Sequence, residues 1–357
     1  MKKTLLFLIS VLSFSTFSEI NRPPINILSI DGGGVRGVGS ITLLEEIMEE
    51  AGITFDDAFD MVGGVSAGGI ISLMLTMPKK EGWEKRSPKE QMQMINDKFT
   101  KASVDLMGSD FWGGVLNKLR LVYYGYRFSE KNRIEVADKI FGDASLKDAS
   151  KPVVLLSVLN TPGHYAPFTF KSFPTESEKF ENFYMKDVAR ATSAAPTYFS
   201  LAFIKSMGMQ EAQPYPLIDG TLSSSSASLL LYLYASELFP GHKINIISLG
   251  TGSAVEQKSM KKNIPLNKII SEVLQMVTLS SIPRIHETLL HIDHLVHNFS
   301  YYRINFKVHE HKLLHEIFNV DNIEALKKEA RAYAHTPKAR AKIKEEIAQL
   351  LRSSRGL

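Results

Sequence analysis

Gly64-Val65-Ser66-Ala67-Gly68 stands between an apolar run, Phe59 to Val62, and a helix-like run, Gly69 to Met77. A G-x-S-x-G stretch between a strand and a helix makes a sharp turn with the serine at its tip. The flanking glycines remove the Cβ atoms that would obstruct that turn. The chain then enters the helix, so its first unbonded N–H groups and the positive end of its dipole lie beside the serine oxygen. The same five letters also occur in ordinary Gly/Ser turns, and the flanking sequence must decide between the two.

Upstream, Ile25 to Ile30 (INILSI) reads as a buried strand ending at Asp31. It runs straight into Asp31-Gly32-Gly33-Gly34-Val35-Arg36-Gly37 and then into a helical pattern. There Ile41, Leu44, Ile47 and Met48 recur at three-to-four spacing, and Gly52 is the stop. Strand, glycine loop, helix, short strand, serine turn and helix predict an α/β fold with a mostly parallel sheet. Downstream, Pro152 to Leu159 and Ile244 to Leu249 read as buried strands, with Phe168 to Phe173 a partner of the first. Leu217-Ile218 ends a short strand at Asp219-Gly220-Thr221. Beyond Leu266 the pattern is mainly helical, with an edge strand at Tyr301 to Val308. The segment Phe111 to Phe128 mixes bulky apolar residues with Lys118, Arg120 and Arg127. It reads as a core-packing insertion with a solvated edge, and a lid or membrane-interface contact is the alternative.

The 357 residues, 44% hydrophobic and 22% charged, supply ample core material. The sequence holds no cysteine, which excludes disulfides, zinc–thiolate sites and a thiol nucleophile. Lys2 and Lys3 precede an apolar stretch from Leu5 to Phe17, and Thr16-Phe17-Ser18 is a small-x-small site. Residues 1–18 are therefore expected to be a signal peptide, making the protein secreted or periplasmic, with an uncleaved anchor as the competitor. Removing them takes away two lysines and lowers the net charge from +4 to +2. That balance, with no basic run interleaved with aromatics, gives no nucleic-acid partner.

A serine ester hydrolase needs a positioned hydroxyl, a base, and donors aimed at the developing oxyanion. Ser66 supplies the first. The backbone N–H groups of Gly32, Gly33 and Gly34, with that of Ala67, are the candidate donors, and Arg36 either steadies their loop or adds positive potential. For the base, His164 and His242 lie outside the helical region, and both read as surface histidines. Asp219 ends a strand and precedes a glycine. It is either a plain Asp-Gly turn or a carboxylate base, workable if burial raises its pKa. A histidine-rich stretch, with His311 and His315 at i,i+4, lacks arranged acidic ligands and reads as a solvated face, so no metal and no cofactor are expected.

Four stretches together carry a family resemblance: Asp31 to Gly37 (DGGGVRG), Gly64 to Gly68 (GVSAG), Ala189 to Phe199 (ARATSAAPTYF) and Asp219 to Thr221 (DGT). In that order they resemble the patatin-like phospholipase family, over about residues 25 to 252. The resemblance implies a three-layer α/β/α sandwich. It implies that Ser66 is the nucleophile, that Asp219 is its one partner, and that the glycine loop is the oxyanion hole. It also implies hydrolysis of acyl esters of glycerophospholipids or lysophospholipids, through an acyl-enzyme, at a membrane or micelle surface. Thr221 departs from the Gly or Ala usual after D-G in that family: its hydroxyl either adds a hydrogen bond that changes the basicity of Asp219 or merely follows the turn. The expected organisation is a signal peptide at 1–18, a patatin-like catalytic domain at 19–255, and a mainly helical region at 256–357 packed on the same domain.

Two other readings stand beside this one. Gly32-x-Gly34-x-x-Gly37 also satisfies the dinucleotide-binding pattern, with Asp57 about twenty residues on, as in an NAD-binding oxidoreductase. A non-catalytic lipid- or protein-binding module on the same fold is the other.

Overall fold

The structure is a computed structural model describing residues 22–108, 111–176, 180–208, 213–255 and 266–357. The leader expected at residues 1–18 lies outside the described residues. The strands are β1 (Ile25–Ile30), β2 (Met61–Val65), β3 (Val153–Thr161), β4 (His164–Lys171), β5 (Ala202–Ile204), β6 (Tyr215–Asp219), β7 (Ile244–Leu249), β8 (Ser253–Ala254), β9 (Phe299–Ile304) and β10 (Lys307–Val308). β3, β2, β1, β7 and β9 lie side by side and parallel, while β4, β5 and β6 add antiparallel pairings at the β3 end.

The strands are buried on both faces, so they read as continuous apolar runs, and their alternate residues feed two cores. Leu28, Ile30, Val153, Leu155, Ile247 and Leu249 join one cluster, covered by the helices Gly37–Ala51, Ala67–Thr76, Pro88–Met107 and Ile323–Ala334. Ile25, Ile27, Val154, Leu156, Ile244 and Ile246 join the other, under the helix Ser228–Leu238 and the end of Leu266–Leu295. The result is the expected three-layer α/β/α sandwich with a mostly parallel central sheet and helices toward the C-terminus. The stretch expected as an edge strand at Tyr301 to Val308 is two strands. β9 extends the main sheet beside β7, and β10 pairs with β8.

Pro162-Gly163 closes a hairpin, with Gly163 at φ +75°, so β4 begins at His164 rather than at Phe168. Phe111–Tyr124 is a helix, and its described apolar side chains are not packed in the core. Val122, Tyr123 and Tyr124 are 79%, 77% and 70% exposed.

The register of β3 positions the site. Its early residues pair with β2, ending at Leu156 opposite Val65. The next residue, Ser157, pairs with Asp219 at the end of β6. β6 thus takes over an edge of β3 at the point where β2 turns away. The last residue of β6 lies beside the residue that follows β2.

Candidate active site

Ser66 follows β2 directly and has φ 53° and ψ −122°. This backbone region is sparsely populated for residues with a Cβ and typically costs about 1–3 kcal/mol. The surroundings hold it there. A Cβ on Gly64 would run into the backbone of Gly68, and one on Gly68 into the Ile30 carbonyl oxygen, so the turn closes only with glycine at both places. The Ser66 N–H donates to Thr192 Oγ1 at 3.0 Å, and that hydroxyl in turn donates to the Leu156 carbonyl at 2.6 Å. Ser66 is also the N-cap of the helix Ala67–Thr76, whose positive end faces it.

Ser66 Oγ donates to Asp219 Oδ2 at 2.8 Å. Both side chains are buried, at 7% and 2% exposure. The other carboxylate oxygen, Oδ1, accepts from the N–H and the hydroxyl of Thr221, each at 2.8 Å. The Asp219 N–H donates to the Ala194 carbonyl at 3.1 Å. The block Ala189 to Phe199 therefore ties down both halves of the pair, through Thr192 on the serine side and Ala194 on the aspartate side. Burial pushes the Asp219 pKa up to about 6, against the lowering influence of the Thr221 and Ser66 hydrogen bonds and the charge of Arg133. A carboxylate in that range is a far better proton acceptor than an exposed one.

The glycine loop approaches the same place, though its residues divide the work differently from the sequence expectation. The Gly32 N–H donates to the Ser225 carbonyl at 3.0 Å, so it is committed elsewhere and is not an oxyanion donor. The N–H groups of Gly33, Gly34 and Ala67 have no acceptor among the described residues. Gly34 and Ala67 line the same cleft as Ser66. Gly34 has φ +60°, and a Cβ there would strike the Ile317 carbonyl. Arg36 is 4% exposed and donates through Nε to the Gly33 carbonyl at 3.2 Å, which makes it a brace of the loop and not a donor in the hole. Burial lowers its pKa to about 10, opposed by the charge of Asp31. Asp31 itself is fully buried and paired at 2.5 Å with Arg303 of β9.

Beyond Ser66 the cleft is apolar, lined by Ile70, Phe99, Leu106, Val136, Ile140, Phe199 and Phe318 among others. It is open on one side. No histidine lines it. His164 is exposed at the start of β4, and His242 bonds the Pro23 carbonyl. Among the described residues no group of three or more His, Asp or Glu side chains is placed to hold a metal ion. Asp57 lies in the short helix Phe55–Ala58, where its N–H donates to the N-cap Thr54 and its carboxylate accepts from the Thr54 hydroxyl. That helix precedes β2, at the amino ends of the strands, whereas the glycine loop follows the carboxyl end of β1, which removes the acidic residue a dinucleotide site needs. Sequence reasoning missed Thr192, Ala194 and Arg303 as supports. The block holding the first two was conspicuous in the sequence, while nothing near Arg303 marked it.

A family model described as patatin-like phospholipase matches residues 28–229. Patatin-like protein 2 of Arabidopsis thaliana is 29% identical over 264 residues, which are 67% of this chain and 63% of that protein. Patatin-like protein 2 of Oryza sativa subsp. indica is 27% identical over 266 residues, 67% of this chain and 64% of the relative. Patatin-17 of Solanum cardiophyllum is 26% identical over 278 residues, 71% and 66% respectively. The chain thus spans just under two thirds of the length of these relatives.

Proposed function

The chain belongs to the patatin-like phospholipase family, and from that premise we propose that it is a lipid acyl hydrolase that cleaves carboxyl esters of glycerophospholipids or lysophospholipids through Ser66 and Asp219. The observation that carries the reading is the 2.8 Å hydrogen bond from Ser66 Oγ to a buried carboxylate, on a strained turn at the polar end of an apolar cleft.

In this mechanism Ser66 Oγ attacks the ester carbonyl carbon while its proton passes to Asp219 Oδ2. The carbonyl oxygen takes the negative charge and is held by the N–H groups of Gly33, Gly34 and Ala67, donors of a kind typically worth about 3–4 kcal/mol each. Collapse expels the alcohol portion of the lipid, which leaves with the proton from Asp219. Asp219 then takes a proton from a water molecule, whose oxygen attacks the acyl-enzyme. Release of the fatty acid returns that proton to Ser66. The apolar cleft suits the acyl chain, and the exposed face of the helix Phe111–Tyr124 suits contact with a lipid surface. The cleft and a neighbouring groove lined by Tyr124, Tyr126 and Phe203 share Arg190 and Phe199 as a common wall, which gives a route from that surface to Ser66. On the leader-like residues 1–18 the proposal extends to an exported enzyme.

Mass spectrometry of products from a mixed-chain phosphatidylcholine tests the reading. It predicts release of free fatty acid by the intact protein and none by Ser66→Ala. Equal release by the two proteins would overturn it. Vesicle binding by both proteins without any release would favour the binding-module reading.

A further inference from the structure

The polar stretch after the Ala67–Thr76 helix reads in the sequence as a plain loop, yet it forms one wall of a second pocket. That pocket encloses about 1270 Å³ including its open mouth. Lys79, Lys80, Arg86, Lys98, Lys101 and Lys139 surround it, against Glu81 and Asp105 alone among acidic side chains. Among the described residues none of these six cations has a carboxylate within ion-pairing distance. Lysines normally scatter singly over a surface with acids interspersed, so six cations without a direct ion pair around one concavity, offset by the more distant charges of Asp56 and Glu90, leave a net positive field in its interior.

Two of the lysines are themselves partly desolvated. Burial pushes Lys79 down to about 8, opposed by the charge of Asp56 and aided by that of Lys98, and burial with the charge of Lys80 pushes Lys98 down. Lys79 is held in place, since its Nζ donates to the Leu75 carbonyl and lies 4.4 Å over the Trp83 ring. The floor is different in character. Met74, Met94 and Ile95 line it, and Ala102, Val136 and Ile140 line both this pocket and the cleft at Ser66. A free inorganic anion would satisfy the rim and leave the apolar floor wet. An anion carrying a hydrocarbon chain satisfies both, with its charge at Lys98 and Lys101 and its chain along the wall shared with the cleft.

We propose that this pocket binds the carboxylate of a long-chain fatty acid, the product class of the reaction assigned above. The ligand's origin rests on the acyl-hydrolase reading, but its binding does not. The test therefore uses protein that cannot turn over through Ser66.

The chain has two tryptophans, and Trp83 lies in the pocket wall. In a Ser66→Ala/Trp112→Phe protein, Trp83 is the one indole, and oleate is titrated below its aggregation concentration while its emission is read. The expected result is a saturable change that weakens as salt is raised, with affinity lowered at least 10-fold by adding Lys98→Ala/Lys101→Ala. Oleyl alcohol, with the same chain and no charge, should bind at least 10-fold more weakly than oleate. Calorimetric titration of Ser66→Ala alone gives the same comparison if the tryptophan substitution impairs folding. Three results would each overturn the proposal: equal binding of oleyl alcohol, undiminished affinity in the double lysine variant, or tighter binding of dodecyl phosphate than of laurate. Absence of hydrolysis by the wild-type protein would sink the acyl-hydrolase reading and leave this titration to be judged separately.

Discussion

At the scale of single residues, the proposed chemistry turns on the ionisation of Asp219. Its carboxylate has one oxygen toward Ser66 and the other toward Thr221. The Thr221 hydroxyl stabilises the charged form, so Thr221→Val, which keeps the methyl group packed against Gly32, should raise the Asp219 pKa. The acid limb of kcat/KM on a soluble ester should then move up by about 0.5–1 pH unit. An unmoved limb would show that the hydroxyl does not reach the base. Stability gives an independent sign. A carboxyl whose folded pKa lies above its unfolded value favours the fold most at low pH, and that contribution is lost as pH rises through about 6. Above that pH the folded protein carries a buried charge, and Asp219→Asn removes it. At pH 8 the Tm of Asp219→Asn should match or exceed that of wild type. A clear drop would mean that the carboxylate is a net support of the fold. Ser66 and Asp219 were legible as candidates because each sits in a short motif at the end of a strand. The division of labour in the glycine loop was not. Spacing says that amides are exposed by glycine, but not that the Gly32 N–H turns to Ser225 or that Arg36 folds back onto Gly33.

At the scale of elements, the alternation of strands and helices was readable because strands buried on both faces are written as continuous apolar runs. The turn between Gly64 and Gly68 was readable because its glycines are demanded by backbone contacts a few residues away. The antiparallel entry of β6 onto β3 was not, since strand direction depends on pairing between segments some sixty residues apart. Over Phe111 to Phe128 a core-packing insertion with a solvated edge was expected; Phe128 is buried, while Leu116, Leu119 and Val122 to Tyr124 are exposed. Apolar content alone does not distinguish a side chain meant for a core from one meant for another apolar phase. The exposed Val122 and Tyr123 assign this helix to the lipid surface in the proposed function. Val122→Asp/Tyr123→Asp should therefore slow hydrolysis of phospholipid vesicles by about 10-fold while leaving a soluble short-chain ester unaffected. Parallel losses on both substrates would place the helix in folding or catalysis instead.

At the scale of the whole molecule, residues outside the stretch matched by the family model complete the site. Ile317 accepts from the Val35 N–H at 2.8 Å, Phe318 lines the cleft, and Arg303 neutralises Asp31 beneath the glycine loop. β9 carries Arg303 there by extending the same sheet as β1, so β9 and the glycine loop share one framework. Arg303→Met would leave Asp31 as an unpaired buried charge, which typically costs about 3–5 kcal/mol. Urea unfolding should show a loss of that size, and a loss under about 1 kcal/mol would mean the pair is not structural. This dependence could not be read from the sequence, because the partners are 272 residues apart and the arginine sits in no motif.

Whether Asp219 is the base for Ser66 is decided by the rate of labelling by a fluorophosphonate, followed with pH and mapped by peptide mass spectrometry. The expected result is one adduct, on Ser66, at a rate that rises with pH through an inflection near 6 and falls at least about 100-fold in Asp219→Asn. An adduct on another serine, or undiminished labelling of Ser66 in Asp219→Asn, would contradict it.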